Sequence, residues 1–252
     1  MLEVRGLTKS FGGVRAMNGV DLDFPKGSLS AVIGPNGAGK TTFFNLITGH
    51  LKPDSGRVLL DGHGISGMQA EDIVRMGVGR AFQIASIFPS LTVRETILCA
   101  LHAHHRRHLH LFKQFPLQDL LERSDESMEL VNLSSRSDVL SGNLSHGDQK
   151  LLDIALALAL DPKVLLLDEP TAGMGTEERW QMIETVYKLW ERKSMTLIFI
   201  EHDMDIVFKF AQKISVLSYG SVLAEGDAHA VKKNPKVIEA YLGGSYEEKK
   251  SI

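Results

Sequence analysis

The sequence predicts an α/β fold whose strand–helix core is interrupted by a helical insertion. Three observations carry that prediction. Short apolar runs at Leu29–Ile33, Val164–Leu167 and Met195–Ile200 have the length and composition of fully buried strands. Segments with apolar residues at three- and four-residue intervals alternate with them, as in strand–helix units. Between about residues 85 and 161 the alternation stops and only helical pattern remains.

The elements follow in order. Val20, Leu22 and Phe24 alternate with Asp21 and Asp23, the period of a half-buried strand. Leu29–Ile33 enters a Gly-rich turn, and Thr41–Thr48 reads as a helix ended by Gly49. Val58–Leu60 before Asp61-Gly62 is a strand and turn, and Val78–Phe82 a short strand ending at Gln83. Thr92 and Glu95 have capping-box spacing ahead of a helix running through Leu98 and Leu101. A helix over Lys150–Leu160 leads to Pro162, after which the alternation returns. Thr176–Lys193 is an amphipathic helix with Trp180, Ile183, Tyr187 and Trp190 on one face, and Ile214–Leu217 is a further strand. Gly243–Ile252 is polar and reads as a frayed end.

Composition narrows the function classes. Of 252 residues, 43% are apolar, enough for a sizeable core. A net charge of −3 argues against a protein held mainly by nucleic-acid phosphates. The single cysteine, Cys99, excludes an internal disulfide and suits a reducing compartment; its apolar helical setting predicts a buried, inert thiol. No run reaches the ~18 apolar residues of a membrane span, and no apolar leader follows Met1. The expectation is a soluble intracellular protein that meets a membrane only through a partner.

Two half-sites carry chemistry. Gly34-Pro35-Asn36-Gly37-Ala38-Gly39-Lys40-Thr41 fits G-x-x-x-x-G-K-[ST] between a strand and a helix. Glycines let backbone amides curl around a phosphate, and the helix N-terminus adds positive potential. Lys40 reaches the β- and γ-phosphates in this pattern, and the Thr41 hydroxyl holds Mg²⁺. The second half-site is Val164–Leu167 followed by Asp168 and Glu169. In that arrangement Asp168 is a metal carboxylate and Glu169 a base for an attacking water. Two acids after an apolar strand are weak evidence alone and strong evidence beside a phosphate loop.

Leu144-Ser145-His146-Gly147-Asp148-Gln149, ahead of the Lys150 helix, resembles the signature segment of ATP-binding cassette (ABC) ATPases, usually LSGGQ. In the same order, Gln83 matches the family's Q-loop glutamine, His202 its switch histidine and Phe11 the aromatic residue that stacks on adenine. The resemblance covers about residues 2 to 242. A narrower one lies in Ile73–Gln83, Glu201–Met204 and Asn234–Gly243, which look like branched-chain amino acid importer ATPases.

The resemblance implies a P-loop NTPase core with an antiparallel β subdomain, residues 1–84 and 162–252, and an inserted α-helical subdomain, 85–161, that carries the signature. It implies ATP and Mg²⁺ as ligands. Phe11, Gly34 through Thr42, Gln83, Ser145 and Gly147 would bind nucleotide, with Thr42 included beside Thr41. Thr41, Gln83 and Asp168 would hold the metal, and Lys40, Glu169 and His202 would act in hydrolysis. Two cassettes meet head to tail in the family, each ATP clamped between one phosphate loop and the partner's signature. The implied partners are transmembrane permease subunits, a second cassette, usually distinct from the first, and indirectly an external solute-binding protein. The implied location is the cytoplasmic face of the membrane. The implied function is the ATPase motor of an importer for branched-chain or other hydrophobic amino acids; urea or amide import, and lipid or lipopolysaccharide export, are the alternatives.

The sequence departs from the family pattern in three places. His146 replaces the first signature glycine, Asp148 the usual glutamine, and Gly175 stands where many cassettes have aspartate. A carboxylate at a helix N-terminus suits the dipole but repels phosphate, so Asp148 is expected to point away from it. His102, His104, His105, His108 and His110 form a cluster in which His104 and His108 have metal-pair spacing. Without a nearby acid or cysteine it reads as a solvated or lipid-facing patch. Trp180 and Trp190 read as core or interface.

Overall fold

β1 (Leu2–Phe11) turns through Gly12 and Gly13, both at positive φ, into antiparallel β2 (Val14–Phe24). L side chains are strained at such φ, so glycine is the default there. Val20, Leu22 and Phe24 of β2 are buried, and their alternation with Asp21 and Asp23 sets the register. In the computed structural model, which describes residues 1–81, 88–104 and 118–247, two compact units form: Met1–Met76 with the chain from Met195 onward, and Gly77–Ser194.

In the first unit β3 (Leu29–Ile33) is buried at all positions, and α1 (Lys40–Ile47) follows the phosphate loop. β4 (Ser55–Leu60) and β5 (His63–Gly64) extend the first hairpin into an antiparallel sheet ordered β2-β1-β4-β5, and α2 (Ala70–Met76) closes the segment. Phe24, Phe43 and Phe44 form a buried aromatic trio, with centroid distances of 6.2 and 6.4 Å between neighbours.

In the second unit β6 (Val78–Ala81) lies parallel to β7 (Val164–Asp168), with Val78 opposite Val164 and Ala81 opposite Leu167. Between them in sequence come α3 (Val93–His104), α4 (Gln118–Leu130) and α5 (His146–Ala159), packed on one another. α6 (Thr176–Lys193) has the predicted limits. Its buried stripe is Met182, Ile183, Val186 and Leu189. The predicted aromatic face is only flanking: Trp180, Tyr187 and Trp190 are half-buried, and Tyr187 packs on Trp190 at 5.5 Å. Wide aromatic rings with polar edges suit such a boundary.

The first unit resumes with β8 (Thr196–Ile200), α7 (Met204–Phe210), β9 (Lys213–Ser218) and β10 (Ser221–Gly226), then α8 (Ala228–Lys233) and α9 (Pro235–Glu247). β3 runs parallel to both β8 and β9. β9 and β10 are joined through Tyr219 and Gly220, both at positive φ, the geometry of a tight hairpin turn. α9 continues past Gly243 to Glu247, where the sequence reads as a frayed end. Cys99 is exposed rather than buried, because the inward stripe of α3 is Val93, Ile97, Leu98 and Leu101. Among the described residues no helix is long and apolar enough to cross a membrane. Gln83 and His105, His108 and His110 lie outside the described residues.

Candidate functional site

The phosphate loop begins where β3 ends. Gly34 has φ 154°, and a Cβ there would stand 2.2 Å from the Leu217 carbonyl oxygen, so no larger residue fits between β3 and β9. Gly37 and Gly39 follow at φ 76° and 102°. A Cβ on Gly39 would meet Met17 Cε at 2.3 Å and the Ala16 oxygen at 2.6 Å. The β9–β10 turn supports the loop from outside: the Gly220 amide donates to the Ala38 carbonyl at 3.0 Å, and the Asn18 amide donates to the Gly220 carbonyl at 2.8 Å.

Gly39 caps α1 with no side-chain partner for its first amides. Those amides and the helix dipole suit an anion. Lys40 is buried, its ammonium donating to the Gly34 carbonyl at 2.7 Å and the Pro35 carbonyl at 3.1 Å. Both bonds fold the side chain back over the loop it follows. Asn36 and Thr41 are exposed, and Thr42 is half-buried one position on.

Two further predicted residues lie on this unit's surface. Phe11 is 46% exposed with Lys9 Nζ 5.6 Å from its ring centroid, so it is not a core residue and its face can stack on a flat ligand. His202 follows β8 and is exposed, its backbone amide donating to Glu201 Oε2 at 3.2 Å. Tyr241, which the sequence did not single out beyond its motif, reaches the loop from α9. Burial pushes its phenol up to about 12, against a smaller opposite pull from the Gly34 amide. The hydroxyl oxygen is buried, with the Gly34 amide beside it.

The second unit holds the acids and the signature. Asp168 ends β7, and its Oδ2 accepts from Arg80 Nη2 at 2.7 Å in a pair that is 7% and 4% exposed. The pairing follows from register: Arg80 sits opposite Leu166 on the parallel strand, so Arg80 and Asp168 share a face of the sheet. Glu169 has φ 51°, an uncommon conformation for a residue with a Cβ. Lys150 of α5 holds that turn, its buried ammonium donating to the Glu169 carbonyl at 3.1 Å and the Ala172 carbonyl at 2.7 Å. Both Arg80 and Lys150 escaped sequence reasoning, since nothing local marks a partner 88 or 19 residues away.

Ser145 is the N-cap of α5 and accepts from the Asp148 amide at 3.1 Å. Its hydroxyl donates to Asp148 Oδ2 at 2.8 Å, and the same oxygen takes Arg136 Nη1 at 2.7 Å. His146 lies beside the loop that follows Glu169: its Nε2 is 3.4 Å from where a Cβ on Gly173 would be. Gly175 caps α6, its amide donating to Glu178 Oε2 at 3.2 Å.

Two family models match this chain: the ABC transporter model over residues 17–172, and one for the C-terminal part of branched-chain amino acid ATP-binding cassette transporters over 221–247. The chain belongs to the ABC transporter ATPase family. This cassette is 39% identical to the high-affinity branched-chain amino acid transport ATP-binding protein BraF of Pseudomonas aeruginosa, over 96% of this chain and 98% of that protein. It is 37% identical to LivG of Escherichia coli K12 with the same coverage. Among solved structures, a nucleotide-free ATP-binding cassette of an ABC transporter superposes with TM-score 0.85 at 31% identity, covering 96% of this cassette and 98% of that one. An ADP-bound cassette gives 0.84 at 31% identity, with the same coverage. The cassette is thus an α/β ATPase, with an antiparallel sheet and a helical subdomain.

The donor types fit the ligands the family implies. Thr41 in the first unit offers a hydroxyl oxygen and Asp168 in the second a carboxylate, each by itself a hard donor of the type Mg²⁺ takes. Glycines at positive φ ahead of an uncapped helix N-terminus suit a polyphosphate.

Proposed function

We propose that this cassette is the ATP-hydrolysing motor of an importer for branched-chain or other hydrophobic amino acids. One observation carries the reading: near-full-length similarity to BraF coincides with the branched-chain transporter model on the same chain's C-terminal segment. The export and urea readings gain no comparable support.

The residue roles follow from chemistry. Phe11 stacks on the adenine, and the amides of Gly34–Thr42 hold the phosphates with Lys40. Thr41, Gln83 and Asp168 hold Mg²⁺, which when bound neutralises charge on the β- and γ-phosphoryl oxygens. Glu169 takes a proton from the attacking water, and His202 orients the γ-phosphate. Ser145 and the Gly147 amide receive the γ-phosphate of an ATP held by a second, distinct cassette. ATP binding then favours the closed pair and hydrolysis reopens it. Residues 85–161 form the helical subdomain that docks a permease helix at the cytoplasmic face, while an external binding protein supplies the solute. No role for nucleic acid is proposed.

The test is affinity purification through this chain from native membranes, with mass spectrometry and reconstitution of what co-purifies. A polytopic permease with a second cassette, and ATP-dependent leucine uptake by the reconstituted complex, are expected. Ribosomal proteins, or a complex that moves lipid and no amino acid, would overturn the reading.

A further inference from the structure

Asp148 raises a physical problem. It occupies the third position of α5, in the turn whose amides and dipole attract anions, and a carboxylate there repels a second anion arriving at the same turn. The structure answers with charge. Asp148 Oδ2 is shared between the Ser145 hydroxyl at 2.8 Å and Arg136 Nη1 at 2.7 Å. Arg136 ends a short 3₁₀ turn, Ser134–Arg136, well before the signature, and is 49% exposed against 17% for Asp148. Arg136, Ser145, Gly147 and Asp148 line one polar groove of about 540 Å³.

We propose that Arg136 is a positioning residue of the signature segment: its guanidinium cancels the Asp148 carboxylate and keeps hold of Oδ2, so that the Ser145 hydroxyl can turn its single proton from Asp148 to a triphosphate's γ-phosphate, beside the donating Gly147 amide. The inference rests on the reading that this segment faces ATP held by a second cassette. It explains how a carboxylate is tolerated one residue after the Gly147 amide. When the Ser145 proton turns away, Arg136 still holds Asp148 Oδ2, so the carboxylate oxygen is not left without a donor.

The experiment uses the membrane complex purified through this chain and measures the concentration of a non-hydrolysable ATP analogue needed for half-maximal retention. Arg136→Ala should raise it about tenfold, since like charges brought together across an interface are strongly unfavourable. Asp148→Asn alone should not raise it. The double variant Arg136→Ala/Asp148→Asn should return to within about twofold of wild type, and Arg136→Lys should keep most of the affinity, because both remove or cancel the charge. Raising the salt should narrow the gap between Arg136→Ala and wild type.

An Arg136→Ala complex indistinguishable from wild type, or a double variant no better than the single one, overturns the inference while leaving the transport reading intact. Retention that disappears in the wild-type complex when the second cassette is stripped away, and returns when it is restored, supports the underlying reading. Retention indifferent to the second cassette removes that reading, and this inference with it.

Discussion

Arg80 Nη2 lies 2.7 Å from Asp168 Oδ2, and both side chains are almost wholly buried. A buried ion pair contributes little over a well-packed apolar pair, but removing one member leaves a charge without compensation. Arg80→Met should therefore lower stability by about 3–5 kcal/mol. Urea denaturation monitored by fluorescence checks it, and a loss below about 1 kcal/mol would mean that the pair is dispensable.

Lys40 donates to two loop carbonyls from a buried position, so its charge is held over the loop proposed to bind phosphate. Lys40→Ala should weaken ATP binding by about 10- to 100-fold, the range for losing charged hydrogen bonds. Isothermal titration with ATP measures it; unchanged affinity would contradict the phosphate role.

Glu169 combines positive φ with a carboxylate at a strand tip. Glu169→Gln keeps the shape and removes the base. ATP binding should persist while steady-state hydrolysis falls by about 10²-fold or more. Turnover near wild type would refute the assignment.

Tyr241 gives a pH prediction. Its phenol is raised to about 12 in the folded chain, against about 10 for an unfolded tyrosine. The stability this contributes is fully present below pH 10 and is lost as pH rises through 12, because the unfolded chain ionises first. Tyr241→Phe removes the ionisation, so its alkaline limb should be flatter between pH 10 and 12. A denaturation series across that range reads the difference, and identical limbs would deny the burial effect.

Legibility in the sequence followed the range of the interactions. β3, the phosphate loop, α1 and β7 were legible because apolar runs, glycines and strand-end acids lie within a few residues of one another. α6 was legible in its limits but not its face, since aromatic residues mimic a core stripe while Met182, Val186 and Leu189 fill it. α5 begins at His146, inside the signature, earlier than its apolar pattern suggests, because Ser145 caps it through the Asp148 amide. The Arg80, Arg136 and Lys150 partnerships depend on pairing across strands and turns, which no local pattern encodes.

Lys150 and Ser145 belong to one helical rod: Ser145 caps its start, and Lys150, just over a turn inside, grips the carbonyls of Glu169 and Ala172. A helix this short transmits displacement as a stiff lever rather than absorbing it. A shift of the capping serine is therefore carried to the backbone of Glu169, and loss of the Lys150 grip would loosen that link. The two roles proposed for Ser145 and Glu169 thus hang on one short helix, so a substitution that shifts α5 should disturb both together.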